Sequence, residues 1–231
     1  MEFALDQNGK RAHATSADKN MKYTCPVCGK DVIPRQGAVN IDHFAHISRC
    51  DDNWTYDMSD WHREWQEQFP AGNREIVIDI DGERHRTDIM AYGYALEFQH
   101  SSISAEEFDR RNAFYLRHGK KVIWIFDFVE EFNSKKMQCY EEWSFNNDNG
   151  GKFCWKHPCR FLKNFLPQED ENITVFFQTE DSAHEDAEAC YIERATWAIK
   201  DDEGSSFKRF CTSYYPSNKA ELLEWMRCGK L

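Results

Sequence analysis

No stretch of this 231-residue chain approaches the roughly 18 uninterrupted apolar residues of a membrane-spanning helix. The opening MEFALDQNGK lacks the apolar run of a secretory leader. Both absences point to a cytoplasmic protein without a membrane span. Proline and glycine are scarce, at 6 and 11 residues, while 41% of the chain is hydrophobic and 15% aromatic. That balance excludes a disordered chain and predicts a folded one. The length suits one domain of ordinary size plus a smaller one, or two small ones. Basic residues are missing from 169–193, which holds nine carboxylates and no Lys or Arg, so only −2 of the net −11 belongs to the rest of the chain. The acidic total therefore does not exclude a phosphate-bearing partner.

Nine cysteines is an odd number. In a reducing compartment they read as thiols or metal ligands rather than a disulfide framework. Cys25-Pro26-Val27-Cys28-Gly29 is followed by His43-Phe44-Ala45-His46 and then Cys50. Two thiolates on a tight turn with nearby imidazoles supply the four N and S donors that zinc takes in tetrahedral geometry. Four of the five residues Cys25, Cys28, His43, His46 and Cys50 are expected to bind. His43 with His46 fits one turn of a helix; His46 with Cys50, at i and i+4, also fits. Either set closes the coordination shell, so the zinc is structural.

Further along, Trp61, Trp65 and Phe69 recur at helical spacing up to Pro70. Residues 74–99 change to alternation, with turns at Asp81-Gly82 and Tyr92-Gly93, and predict a three-stranded meander. Ser104-Ala105-Glu106-Glu107 is a capping box for a helix to about Leu116, closed by Gly119. Val122 to Phe128 is an apolar strand. The order is helix, three strands, helix, strand, an α/β core. Lys135 to Asn147 reads as helix or loop, and 146–151 as a linker. Strands are expected at 173–178, 195–200 and 207–213, with a closing helix at 217–226.

In the meander, Glu97 and Gln99 share one face of their strand. If the Tyr92-Gly93 turn closes a hairpin, Asp88 lies beside Glu97. Two such carboxylates form an oxygen site suited to Mg²⁺ or Mn²⁺, cations that activate water and neutralise a phosphodiester under attack. His62, with Gln66 at i+4, lines a polar stripe on the preceding helix. Arg110, Arg111 and Tyr115 lie on the capped helix, where guanidinium groups can meet phosphate. From 149 to 168, Lys152, Lys156, Arg160 and Lys163 interleave with aromatic rings and no acid, a pattern suited to single-stranded nucleic acid.

Taken together, Cys-Pro-Val-Cys-Gly (25–29), His-Phe-Ala-His (43–46), Ser-Asp-Trp-His (59–62), His-Arg-Thr-Asp (85–88), Leu-Glu-Phe-Gln-His-Ser (96–101), Arg-Asn-Ala-Phe-Tyr (111–115) and Ile-Trp-Ile-Phe-Asp (123–127) resemble, in order, the CoiA-like family of competence proteins. The resemblance implies a restriction-endonuclease-like, PD-(D/E)xK core at 55–132. A small zinc-binding module at 1–54 precedes it, and a C-terminal α+β accessory region at 133–231 follows. Asp88 matches the Asp of the nuclease motif, Glu97 its second acid, and His62 the helix histidine before the core strands. Gln99 stands where the general motif has Lys. The implied activity is metal-dependent cleavage of DNA, single-stranded DNA included, in DNA uptake, recombination or the handling of foreign DNA, with competence or recombination proteins as partners. Because an amide orients water only through a neutral hydrogen bond, a second reading is a catalytically inactive DNA-binding module or interaction scaffold of the same fold.

Overall fold

The structure, a computed structural model, describes residues 1–38, 41–51, 54, 58–134, 137–142, 150–155, 172–179, 192–199, 208–213 and 219–230. For 137–142, 150–155, 192–199 and 208–213 it gives the course of the backbone. The chain forms two compact units, Met1–Met58 with Gln66–Met90, and Ser59–Trp65 with Ala91–Leu231. Its architecture is mixed α/β.

The first unit opens with five short strands, β1 (Phe3–Asp6), β2 (Arg11–His13), β3 (Tyr23–Thr24), β4 (Asp31–Arg35) and β5 (His43–His46). They form an antiparallel sheet in the order β2-β1-β3-β4-β5. Its small core gathers Ala4, Ala14, Tyr23, Val32 and Phe44. Strands β6 (Arg74–Ile80) and β7 (Glu83–Ala91) form an antiparallel hairpin in the same unit. Asp81 and Gly82 both have positive φ, 52° and 85°. Two-residue hairpin turns of the primed type require that geometry. Glu75 of β6, also at positive φ, turns its carboxylate onto the N–H groups of Glu2 and Phe3, at 2.8 and 3.0 Å. Arg86 of β7 lies 3.5 Å from the same carboxylate.

The second unit contains α1 (Asp60–Gln66), β8 (Tyr94–Gln99), α2 (Ala105–Arg117), β9 (Lys121–Asp127), α3 (Val129–Asn133), β10 (Met137–Glu142), β11 (Gly150–Trp155), β12 (Ile173–Gln178), β13 (Ile192–Ile199), β14 (Lys208–Ser213) and α4 (Lys219–Arg227). Its strands run in the order β10-β11-β14-β13-β12-β9-β8. Strands β8, β9 and β12 are parallel, and the remaining pairs are antiparallel. The three parallel strands are buried almost throughout, as expected of strands covered on both faces.

Alternation along β8 divides its neighbours. Trp65 and Trp61 of α1 lie against Phe98, with ring centroids 5.5 and 6.4 Å away. Arg111 and Tyr115 of α2 reach Glu97, on the other face. Helix α1 is locked down by a polar contact: the indole N–H groups of Trp61 and Trp65 both donate to Gln178 Oε1 of β12, at 2.9 and 2.8 Å. Trp65 is fully buried whereas Trp61 is partly exposed, so most of the cost of losing this acceptor falls on Trp65. Replacing Gln178 by Leu is expected to lower stability by about 1–3 kcal/mol, read as a shift in the urea midpoint.

The stretch expected to be helix or loop at 135–147 instead carries β10. An alternating Met137, Cys139 pattern, completed by β11 as partner, takes the strand that local propensity leaves undecided. The expected helices and the strands at 173–178, 195–200 and 207–213 all appear, within a few residues of their predicted ends.

Candidate metal centre and candidate active site

Cys25 follows β3 directly, and a tight turn returns the chain to β4. Its hydrogen bonds are Gly29 N to Cys25 O at 2.9 Å and Cys25 N to Lys30 O at 2.8 Å. Gly29 takes φ +71° there, a conformation that favours glycine. Register places His46 opposite Val32, at the end of β5 nearest this turn. Cys50 arrives four residues later. The result is a cluster of Cys25, Cys28, His46 and Cys50 whose donor atoms all lie within 4.8 Å of one another. Cys28 Sγ is 3.4 Å from His46 Nε2 and 3.6 Å from Cys50 Sγ. Ligands of one tetrahedral zinc, at about 2.3 Å for sulfur and 2.0–2.1 Å for nitrogen, stand about 3.5–3.8 Å apart. The three thiols are free of disulfides, so the four residues can bind a metal such as zinc.

The protonation tendencies differ across the cluster: Cys28 and His46 lean toward the forms that ligate metal, whereas Cys25 must be deprotonated by the metal itself. Burial pushes the Cys25 thiol up to about 12. Burial acts on Cys28 as well, but the N–H groups of Lys30 and Asp51 and the Cys50 thiol bring it below the usual thiol value. His46 is held below the ordinary imidazole range by burial and by the positive N-terminal amine and Arg86. A neutral imidazole is the form that ligates metal.

Of the five residues, His43 is the one outside the cluster. His43 and His46 lie on strand β5, not on a helix, so three residues of separation send them to opposite faces. His43 Nδ1 instead bonds the carbonyl of Ile41 at 2.8 Å.

The second candidate site centres on β8. Tyr92 and Gly93, which precede it, both have positive φ, 53° and 89°. Asp88 lies on β7 and is buried. Glu97 is only 1% exposed. An ionised carboxylate survives such burial only with compensating partners, and α2 supplies them. Ser104 Oγ caps that helix by accepting from Glu107 N at 3.1 Å. Glu107, Arg111 and Tyr115 then recur at intervals of four along one face. Arg111 donates to Glu97 Oε2 at 2.8 Å and to Glu107 Oε1 at 2.6 Å, and the Tyr115 hydroxyl donates to Glu97 Oε1. Burial works against the Arg111 charge, but Glu97, Tyr115 and Glu107 outweigh it and raise its pKa. The guanidinium stays charged. It also lies over the Trp124 ring, 5.9 Å from the centroid.

Arg111 and Tyr115 are therefore corrected as phosphate contacts: both are buried and turned onto Glu97. Arg110 is half-buried on the same helix. Gln99 donates its amide N–H to Ser101 O at 2.6 Å. His62 meets the edge of Phe98, with ring centroids 5.7 Å apart. It thus approaches β8 from the face opposite the one from which Glu97 and Gln99 project. Lys152 lies on β11, while Lys156, Arg160 and Lys163 lie outside the described residues, as does most of the acidic segment 169–193. Among the described residues, no helix is long and apolar enough to cross a membrane.

Residues 6–52 match the family model described as competence protein CoiA, N-terminal domain, and residues 80–180 match competence protein CoiA, nuclease-like domain. The chain belongs to the CoiA family of competence proteins. The metal cluster falls inside the first match, and Asp88, Glu97, Arg111 and Tyr115 fall inside the second. Membership gives the chain a competence-related, nuclease-like domain. No curated protein and no solved structure matches the chain.

Proposed function

We propose that this CoiA-family protein is a metal-dependent nuclease of the PD-(D/E)xK type that hydrolyses DNA phosphodiester bonds, with Asp88 and Glu97 holding Mg²⁺ or Mn²⁺. The observation that carries this reading is the buried Glu97 clamped by Arg111 and Tyr115 within the nuclease-like stretch. A buried ion pair is an expensive way to stabilise a fold, and such carboxylates concentrate at functional sites. Carboxylate oxygens are the donors that a hard, oxygen-seeking cation takes, so the residue types of Asp88 and Glu97 fit one. The cation would supply Lewis-acid charge neutralisation at the phosphate.

The chain's own residues do the rest. Gln99, with its amide nitrogen committed to Ser101, presents Oε1 to accept a hydrogen bond from the attacking water. Arg111 and Tyr115 fix the orientation of the Glu97 carboxylate. His62, coming from the other face of β8, assists from α1 and contributes least. Attack in line on phosphorus leaves a 5′-phosphate.

The test is incubation of end-labelled single- and double-stranded DNA with Mg²⁺, Mn²⁺ or EDTA. The wild-type protein is expected to shorten the strand only with a divalent cation. D88A and E97A should each abolish shortening, and H62A should only slow it. Cleavage that persists in both D88A and E97A removes the assignment. Gln99 in place of a lysine favours the second reading, a catalytically inactive DNA-binding module, for which the same gel would show a shifted but intact strand.

A further inference from the structure

At the carboxyl ends of β8 and β9 lies a pair of side chains that the proposed site does not use. His100 is the first residue beyond β8, and Asp127 is the last residue of β9. Parallel pairing sets Gln99 opposite Phe126, so the next residue along each strand brings His100 beside Asp127. His100 Nδ1 lies 2.7 Å from Asp127 Oδ2. The other Asp127 oxygen accepts from Val129 N at 3.1 Å, which anchors the carboxylate to the start of α3. Trp61 flanks the imidazole, with ring centroids 6.2 Å apart. The imidazole ring is therefore oriented from two sides. Its side chain is 46% exposed, and among the described residues Nε2 has no protein partner.

As a stabilising contact this pair achieves little, because exposed ion pairs add little net stability. As a way of aiming an imidazole it is effective: the carboxylate takes Nδ1–H and fixes the tautomer, so Nε2 points to solvent. The position suits chemistry. In open α/β sheets, ligands lie beyond the carboxyl ends of parallel strands, and His100 stands at that end on the Trp61 side of the sheet, across from Glu97 and Gln99, as an in-line leaving group lies across phosphorus from the attacking water. We propose that His100 is a further catalytic residue, the general acid that protonates the leaving 3′ oxygen of the cleaved strand, with Asp127 as its positioning partner. This rests on the nuclease reading above.

The step balances. The oxygen of water forms a bond to phosphorus, and the bond from phosphorus to the 3′ oxygen breaks with its electron pair going to that oxygen. His100 enters the step as imidazolium, and its Nε2 proton transfers there to give the 3′ hydroxyl, leaving the neutral ring with Nδ1–H on Asp127. The attacking water loses its proton to solvent, and the neutral imidazole regains one from solvent.

A leaving group that needs no proton separates this role from a merely structural one. Two oligonucleotides are compared, one ordinary and one with sulfur replacing the 3′-bridging oxygen at a linkage the wild type cuts. Mn²⁺ is present throughout because it tolerates sulfur better than Mg²⁺. H100Q is expected to cut the ordinary linkage about 10²-fold or more slowly than wild type, yet the sulfur-bridged linkage within a few-fold of it. D127N should show a smaller loss of the same pattern, in kcat rather than KM. Added imidazole should partly restore H100A. Equal losses of H100Q on both substrates, or no loss on either, overturn the proposal. If the wild type cuts, D88A is silent and H100Q is unaffected, only the role of His100 falls. If the wild type cuts neither substrate, the nuclease reading fails and takes this role with it.

Discussion

Removing metal from the cluster of Cys25, Cys28, His46 and Cys50 with a strong chelator is expected to unfold the sheet of β1 to β5. Its strands are two to five residues long, and its core is built largely from alanine, Tyr23, Val32 and Phe44. A module this small buries too little apolar surface to stand on that alone. Structural zinc sites in small peptides contribute about 10–16 kcal/mol of apparent binding free energy at neutral pH, enough to decide the outcome. Amide hydrogen exchange is the measurement: the Cys25 and Gly29 amides, protected by their turn bonds, should lose protection with chelator and regain it when zinc is added back. C25S and C50S should behave like the chelated protein. H43A should retain metal within a few-fold of wild type, because His43 is turned toward Ile41. Acidification should act like the chelator, since ligand thiolates must take up protons to release the metal. Unchanged protection after complete metal removal would show that the module folds without it.

A second large effect is expected at Arg111. R111A leaves Glu97, almost wholly buried, facing the interior with its cation gone, and it frees Glu107 as well. Removing one partner of a buried pair costs about 3–5 kcal/mol, far above the ordinary run of substitutions. R111K should recover only part of this, because an ammonium cannot reach two carboxylates with a planar fork. The informative variant is the double replacement E97L with R111M. Swapping a buried ion pair for apolar groups of similar size is often neutral or stabilising, so this protein should unfold at a urea concentration near or above that of wild type while having no cleavage activity. A loss below about 1 kcal/mol for R111A would mean that the pair is not as desolvated as its burial indicates.

Much of the fold is legible in the sequence wherever one local rule dominates. The capping box at Ser104 opens α2 at its expected residue, and Gly119 ends it with φ +65°. Asp81, Gly82 and Gly93 have the positive φ that their residue types suggest, whereas Tyr92 takes it against its type. The residues of the candidate metal cluster are legible as a set but not individually. Two histidines three apart fit a helical turn, and only pairing with β4 makes the segment a strand that separates them. Arg111 is misread for a different reason. Charge suggests a surface residue, yet Phe108, Arg111, Asn112 and Tyr115 fall at i, i+3, i+4 and i+7, the buried stripe of α2. A charged residue on an apolar stripe, with Glu107 four residues before it, signals a buried ion pair. The His100–Asp127 contact depends on strands 27 residues apart being parallel and in register, which no local pattern specifies.

That same non-local pairing reaches further, because the parallel neighbour of β9 is β12. When the chain is made from its N-terminus, the outer edge of β9, rich in isoleucine and aromatic residues, emerges about 45 residues ahead of the strand that covers it. At roughly 5–20 residues per second, that edge stays open for about 2–9 s. An apolar strand with unpaired backbone groups is a template for sticking to other chains. A nascent molecule thus passes through an interval in which a chaperone has something to hold. A protein shortened near residue 132 would never leave it.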